Sequence, residues 1–591
     1  MTRISEQSPF DLLLMTMLRP HRLMVILFWR LFRKRMRARG QLETAIAGLP
    51  FATERRIRGQ HRADLTVLDS AKAKGTVPKI CVHLHYASTD DPSDLKRAIE
   101  SIERQTFAPL RAFITSEEKT PAFAKLTDRC ISLSGPFANR MEGLQAALRE
   151  AQQIGGTWVI PSSTASEMPR QAIAAYGARL LEKEASKQPV LIYTDTVAKA
   201  GSLWANRYWL KPLWDPRMFL SQDYITQGFA VAVEPSLQAL AQHPISDDTS
   251  LYEFVWSVAQ EGEIEHLNRV AAREEPGQWA QSDDRRMKAV QSMIGDAGDV
   301  SEGEFGTTQI RWGLPSRLPT VSVLVATRDR VDLLRTCVEG VLHSTDYPAL
   351  DLVIADNESV EPETLAYMDK VASDPRVQVV RWPHPFNYSA INNFAAEHAT
   401  GEYLCLLNND IEVIDPAWLT HLMREAVQPG IGAVGARLLY PDRSIQHAGV
   451  AIGIGNAAGH AHRALPEGEP GYFAQALIAR GASAVTAACL VVRKDHFDAV
   501  GGLDEQHLAV AYNDVDLCLK LQERGLRNIY TPLATLIHHE SKSRGQDFAP
   551  ENLDRYMREL AVFQQRWSTK IAVDPWHHPQ LARGKEVYST H

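Results

Sequence analysis

Three stretches place polar, chemistry-bearing side chains where an apolar run has just ended or is about to begin. YLCLLNNDIEV (Tyr403–Val413) opens as a run suited to a buried strand, then sets Asn408, Asn409 and Asp410 in succession. ATLIHHESKSRG (Ala534–Gly545) does the same with His538, His539 and Glu540. AYNDVDLCLKLQERG (Ala511–Gly525) opens an amphipathic segment on Asp514 and Asp516. A hard divalent cation takes oxygen ligands, often one or two carboxylates with phosphate oxygens supplying the rest. Asp410 offers one such carboxylate, and the asparagine amides can reach an ion through water or a ribose hydroxyl directly. A histidine that ends a strand is a second candidate ligand. His538 directly continues the strand and is preferred over His539. An aspartate of ordinary pKa, ~3.9, is ionised at neutral pH and can accept a proton from a hydroxyl. Asp514 and Asp516 also suit a helix N-terminus without doing any chemistry.

Strands alternating with helices position these groups. VSVLVAT (Val321–Thr327) reads as a buried strand, followed by the polar turn RDRVD and a helix with apolar spacing from Leu333 to Leu342. DLVIAD (Asp351–Asp356) and VQVVRW (Val377–Trp382) are further strands, with ETLAYMDKVA as a helix between them. SAINNFAAEHA (Ser389–Ala399) is a helix leading into YLCLLNND. This order predicts a mostly parallel sheet with helices on both faces. Ligands of such sheets bind at the carboxyl ends of the strands, where Thr327, Asp356 and Asn408–Asp410 all fall.

The first half reads as a worn copy of the second. KICVHLHY (Lys79–Tyr86) matches the first strand, LKRAIESI (Leu95–Ile102) resembles LRTCVEGV, RAFITSEE (Arg111–Glu118) lies over DLVIADNE, and GTWVIPSSTASEM (Gly156–Met168) lies over GEYLCLLNNDIEV. A near-constant offset favours a duplicated domain. In the first copy Asp356 is replaced by Ser116, and Asn408-Asn409-Asp410 by Ser163-Thr164-Ala165. The apolar residues that carry a fold persist while the acceptor groups are gone. The expected organisation is a basic N-terminal segment (1–75), a degenerate domain (76–272), an acidic linker with EEPGQ and GDAGDVSEGEFG (273–318), a catalytic domain (319–545), and a C-terminal helix and tail (546–591).

With 591 residues the chain is too long for one core. A net charge of −7 argues against a nucleic-acid partner. The six cysteines are scattered, with no CxxC or zinc spacing, which predicts reduced core thiols and a cytoplasmic location. LMVILFW (Leu23–Trp29) is too short to span a bilayer. RPHR before it and RLFRKRMRAR (Arg30–Arg39) after it make it a candidate for a helix on an anionic membrane surface. A core helix with a solvated basic end has the same pattern.

VSVLVATRDR, IADNES, FNYSAINN, LLNNDIEV, QHAGV, AVTAACLVVRK, GGLDE, NDVDLCLKL and HHESKSRG occur in this order. Together they resemble the inverting family 2 glycosyltransferases of GT-A fold, an α/β, Rossmann-like architecture. The nearest group is the rhamnosyltransferase-like enzymes of bacterial O-antigen and exopolysaccharide synthesis. The match is strong over Pro319–Gly545. The first half, with KPLWDP, resembles the degenerate leading domain of the two-domain members, and DPWHHPQL resembles their C-terminal tail. The resemblance implies that Thr327 lines the nucleotide pocket. Asp356 would hydrogen-bond a pyrimidine N–H with Asn357 nearby, and Asn392 would sit under the nucleotide sugar. Asn408-Asn409-Asp410 stands where the family has its DXD motif, so Asp410 would bind Mg²⁺ or Mn²⁺ on the donor diphosphate. Asp514 stands at the catalytic base, and His538 would complete the metal or diphosphate site. The chain departs from the pattern twice. Only the last acid of DXD is kept, and the Glu before the base is Asn513.

The reaction so implied is a single displacement. Asp514 would deprotonate a saccharide hydroxyl, expected on a polyprenyl diphosphate, which attacks the anomeric carbon of the nucleotide-sugar donor. A dTDP-β-L-rhamnose donor would give an α-L-rhamnoside. Two other readings compete. A nucleotidyltransferase would also use an α/β sheet and a metal diphosphate, but commonly has a Gly-rich phosphate loop, and ATRDR has no glycine. A non-catalytic saccharide-binding scaffold would not need Asp356, Asp410 and Asp514 together.

Overall fold

The computed structural model describes residues 9–18, 20–31, 42, 50–117, 129–133, 135–164, 167–183, 188–200, 202–244, 250–274, 284–539, 550–583 and 588. Glu540–Gly545 of the histidine motif, Ala165, most of RLFRKRMRAR and most of EEPGQ lie outside them. The chain divides into two compact units. The first takes in residues 1–295 and 300–308, the second 296–299 and 309–589.

The first unit is built on eight strands: β1 Ile80–Tyr86, β2 Arg111–Ser116, β3 Cys130–Ser132, β4 Trp158–Ser163, β5 Leu191–Ala200, β6 Ser202–Trp209, β7 Phe229–Ala232 and β8 Ile264–Glu274. Their order is β3-β2-β1-β4-β7-β5-β6, with β8 beside β5. Strands β9 (Gly298–Glu302) and β10 (Thr308–Trp312) form a two-stranded ladder where the chain passes from one unit to the next.

The second unit contains β11 Val321–Thr327, β12 Leu350–Asp356, β13 Val377–Arg381, β14 Tyr403–Asn408, β15 Ile411–Val413, β16 Ile431–Leu439, β17 Ile445–His447, β18 Val450–Ile452, β19 Ala458–His460, β20 Arg480–Gly481, β21 Cys489–Arg493 and β22 Arg527–His538. Its main sheet runs β13-β12-β11-β14-β21-β16-β22-β15. The two sheets therefore begin alike: third, second, first and fourth strands, then a late antiparallel strand. In both, that strand is followed by one that pairs in parallel with the last strand of the unit. Both units are α/β: the first four strands of each sheet order pair in parallel, and the remaining strands pair in a mixed pattern.

The continuous apolar runs follow from burial on both faces. Val321, Val323 and Val325 enter one core cluster with Tyr403, Cys405 and Leu407, while Leu324, Leu404 and Leu406 face the other. All six cysteines are buried free thiols. The sheet register aligns the strand ends, pairing Thr327 with Asp356 and Ala326 with Asn408. Helix α1 (Tyr388–His398) packs on β11 and β12. It is clasped by the GGLDE turn, where Asn393 Oδ1 accepts from Leu503 N at 2.9 Å. Gly502 permits this clasp: its φ is +62°, and a Cβ there would lie 2.6 Å from Asn393 Oδ1. Helix α2 (Asn513–Glu523) carries Asp514 and Asp516, and helix α3 (Pro550–Arg566) is the C-terminal helix.

At the N-terminus, Pro9–Leu18 and Pro20–Leu31 are helices that contact each other. Met15 and Ile26 are buried between them, while Met17, Met24, Leu27, Phe28 and Leu31 are exposed. Among the described residues, no helix is long and apolar enough to cross a membrane.

Candidate active site

The carboxyl ends of β11, β12 and β14 form one edge of the site. Thr327 and Asp356 are both buried at their strand ends. Asp356 Oδ1 accepts from Ser359 N at 2.9 Å. The Asn357 N–H donates to Thr327 O at 2.8 Å, and Asn357 Nδ2 donates to His384 O at 2.8 Å. Asn357 Oδ1 is buried without a hydrogen-bond partner, so it is an open acceptor beside Asp356. The turn after β11 is backbone-strained. Asp329 (φ 53°) and Arg330 (φ 58°) are left-handed, as is Glu358 (φ 57°) after β12. Asp329 Oδ1 holds this geometry by accepting from Val360 N and Glu361 N at 2.7 and 2.9 Å.

Asn408, Asn409 and Asp410 point three ways. Asn409 Nδ2 donates to Thr327 Oγ1 at 3.0 Å. Asn408 Oδ1 accepts from Tyr388 OH at 3.1 Å, and its Nδ2 lies 3.2 Å from His538 Nε2. Asp410 Oδ1 lies 3.0 Å from the same Nε2. This meeting follows from the ladder: β15 runs antiparallel to β22 and pairs Ile411 with His538. His539 Nε2 instead meets Glu412 Oε2 at 2.7 Å, so the adjacent histidine is held away from the cluster.

Gln446 Oε1 lies 2.8 Å from His538 Nδ1 and accepts its proton. Nε2 faces the Asp410 carboxylate at 3.0 Å and the Asn408 amide at 3.2 Å. A carboxylate oxygen and an imidazole nitrogen are ligand types that a divalent cation takes, so the residues present fit a metal.

Asp514 opens α2 and is half-buried. Its Oδ2 accepts from Ala487 N at 3.1 Å and its Oδ1 from Val515 N at 2.8 Å. The Ala487 carbonyl accepts from Tyr388 OH at 3.1 Å, the hydroxyl that also serves Asn408. Tyr388 thus links the Asp514 loop to the Asn408–His538 cluster. Asn513 Nδ2 donates to Ser389 Oγ at 3.1 Å, tying α2 to α1. Asp516 faces elsewhere: it is fully buried and accepts from Arg566 Nη1 at 2.7 Å and Trp567 Nε1 at 2.9 Å. Asn392 is also buried, with its Nδ2 donating to Tyr388 O at 2.8 Å within its own helix. Its side chain is not hydrogen-bonded to the other candidate residues.

Residues 322–497 match the family described as glycosyl transferase family 2. The second unit carries a family 2 glycosyl transferase domain. Its sheet is α/β, as expected from the motifs. The chain is 48% identical to the uncharacterized protein y4gI of Sinorhizobium fredii over 45% of its own length and 29% of that protein. It is 34% identical to the O-antigen biosynthesis protein RfbC of Myxococcus xanthus over 69% of its length and 32% of RfbC. The chain thus spans about a third of these two relatives. A shorter match, 38% over 63 residues, covers 11% of this chain and 20% of an N-acetylglucosaminyl-diphospho-decaprenol L-rhamnosyltransferase of Mycobacterium tuberculosis. Among solved structures, a Pyrobaculum calidifontis mannosyltransferase in complex with GDP-Man and Mn²⁺ is similar at a TM-score of 0.32 and 16% identity. That likeness covers 46% of this chain and 68% of the other.

Gln446 and Tyr388 are the site residues that the motifs alone did not single out. Both lie inside quoted motifs, QHAGV and FNYSAINN, but their partners are remote in sequence.

Proposed function

We propose that the chain is a metal-dependent, inverting glycosyltransferase. It would move a sugar from a nucleoside diphosphate to a saccharide acceptor during bacterial surface or exopolysaccharide synthesis. The observation that carries this reading is the convergence of Asp410 Oδ1 and His538 Nε2 at 3.0 Å, on the strand edge shared with Asp356 and Thr327.

In this reading Asp356 and the open Asn357 Oδ1 recognise the donor base, and Thr327 and Asn409 line the nucleotide pocket. Asn392 lies under the nucleotide sugar. Asp410 and His538 hold Mg²⁺ or Mn²⁺, which when bound offsets the charge that builds on the leaving diphosphate. Asn408 fixes the His538 ring, and Gln446 fixes its tautomer. Asp514, aimed by Ala487 N–H, takes the proton of the attacking acceptor hydroxyl. Attack from the face opposite the leaving group inverts the anomeric centre. Relatives named for O-antigen synthesis and for rhamnosyl transfer to a diphospho-decaprenol support L-rhamnose as donor sugar and a polyprenyl-linked acceptor. The exposed apolar residues of the N-terminal helices support contact with the inner face of the cell membrane. The first unit keeps the sheet order without the acids and acts as a degenerate partner domain.

The test is calorimetric titration with dTDP-rhamnose, UDP-sugars and GDP-sugars, each with and without Mn²⁺. The expected result is Mn²⁺-dependent binding of one pyrimidine donor. Absence of binding by the folded protein to all of them would favour a saccharide-binding scaffold instead.

A further inference from the structure

The first unit lacks the acceptor side chains of the second, yet its sheet keeps a cavity at the corresponding place. The cavity measures about 170 Å³, room for roughly a dozen water molecules at about 10–15 Å³ each. Ser162 and Ser163 at the end of β4 line one side. Thr226, Gln227 and Gly228, just before β7, line another. In the second unit the same positions by sheet order are the end of β14 and the loop before β21, which hold Asn408 and Ala487. The floor is apolar, with Ile160 and the buried ring of Tyr176.

Two arginines line this cavity, and they differ. Arg273 is ion-paired with Glu167 at 2.5 Å. Arg140 makes no ion pair among the described residues, and its Nε is buried with no hydrogen-bond partner. The acid that acts on it, Asp90, does so only through space. The Asp90 carboxylate is bound instead by Ala87 N at 3.0 Å and Thr164 Oγ1 at 2.6 Å. Arg140 is part-buried, and its guanidinium charge would gain from an anion placed against it in the cavity. A guanidinium fork matches a carboxylate with two parallel hydrogen bonds. A phosphate dianion would call for a second free cation, and Arg273 is already neutralised. The serine and glutamine side chains offer donors and acceptors for hydroxyl groups, above a floor suited to the C–H face of a ring; the Thr226 hydroxyl already donates to Asp223.

We infer that the first unit binds a carboxylate-bearing sugar residue in this cavity, with Arg140 on the carboxylate and Ser162, Ser163 and Gln227 on the hydroxyls. This would be a second saccharide site, independent of catalysis by the second unit. It gives the degenerate domain the task of holding an acidic glycan.

The full chain would be titrated with D-glucuronate, D-glucose and inorganic phosphate, followed by saturation-transfer NMR. Glucuronate is expected to bind, glucose at least tenfold more weakly, and phosphate more weakly than glucuronate. Arg140→Met is expected to weaken glucuronate at least tenfold, and Arg140→Lys less. Asp410→Asn in the second unit should change none of this. Ser162→Leu narrows the cavity without altering the arginine and carries the test if Arg140→Met lowers the melting temperature. No glucuronate binding by the wild type would overturn the inference. So would binding unchanged by Arg140→Met or Ser162→Leu, or phosphate binding as tightly as glucuronate.

Discussion

His538 Nε2 lies 3.0 Å from Asp410 Oδ1, and both side chains are buried. An imidazole nitrogen and a carboxylate oxygen held side by side are both ligand types that a divalent cation takes. Asp410→Asn removes the charged ligand, and His538→Ala removes the nitrogen. Each is expected to weaken Mn²⁺ binding at least tenfold and to remove the metal dependence of donor binding. Calorimetry with Mn²⁺ alone, then with dTDP-rhamnose and Mn²⁺, measures both. Wild-type Mn²⁺ affinity in both variants would place the metal elsewhere.

Gln446 acts through His538. Its Oε1 accepts the Nδ1 proton at 2.8 Å, which keeps Nε2 free as a ligand. Outer partners of metal-bound histidines typically contribute about 10–100-fold in metal affinity. Gln446→Leu should therefore weaken Mn²⁺ by about that factor while leaving metal-free nucleotide binding unchanged. A variant that loses nucleotide binding in the absence of metal would show a structural role instead.

The strands of the second unit were readable because both faces are buried. VSVLVAT is β11 from first residue to last, and YLCLLN is β14. The strand-end residues Thr327, Asp356 and Asn408–Asp410 followed from the parallel order. Asp410 and His538 could be matched to a family pattern, but not seen to meet. Their contact depends on the short strand β15 pairing with β22, and three residues carry little sequence signal. The antiparallel β21 in mid-sheet was invisible for a similar reason: CLVVR reads the same in either direction. Asp514 and Asp516 share a helix start and an amphipathic pattern. Only the packing of α3 shows that Asp516 serves the fold, because Arg566 and Trp567 reach it from the C-terminal helix.

That packing predicts a stability effect. Arg566 bridges the fully buried Asp516 at 2.7 Å and Asp504 at 2.6 Å. Arg566→Leu leaves Asp516 with Trp567 Nε1 and Lys520, and is expected to cost about 2–3 kcal/mol, the scale of hydrogen bonds to charged groups. Burial alone would raise the Asp504 pKa, but hydrogen bonds from Arg566 and His507 outweigh it and hold it below the ordinary value. A depressed carboxylate pKa adds stability above the unfolded value of ~3.9 and loses it as pH falls through the folded one. Thermal unfolding of both proteins should show the gap between them narrowing below about pH 4. A gap that does not change with pH would remove Asp504 from the account.

Asp514 is held at the start of α2 by two backbone N–H groups, from Ala487 at 3.1 Å and Val515 at 2.8 Å. Both fix the direction of the carboxylate. Asn has the same shape and its one carbonyl oxygen can still accept from one of these N–H groups, but it cannot take a proton. Asp514→Asn is therefore expected to keep the fold and the donor affinity within about twofold, while turnover falls by about 10²–10⁴, the usual contribution of a general base. Glycosyl transfer from the donor found by calorimetry, to a lipid-linked saccharide, measures turnover. Donor titration of the same variant measures binding. Wild-type turnover in Asp514→Asn would remove the base from this position. A parallel loss of donor affinity would show that the carboxylate shapes the donor pocket rather than the proton transfer.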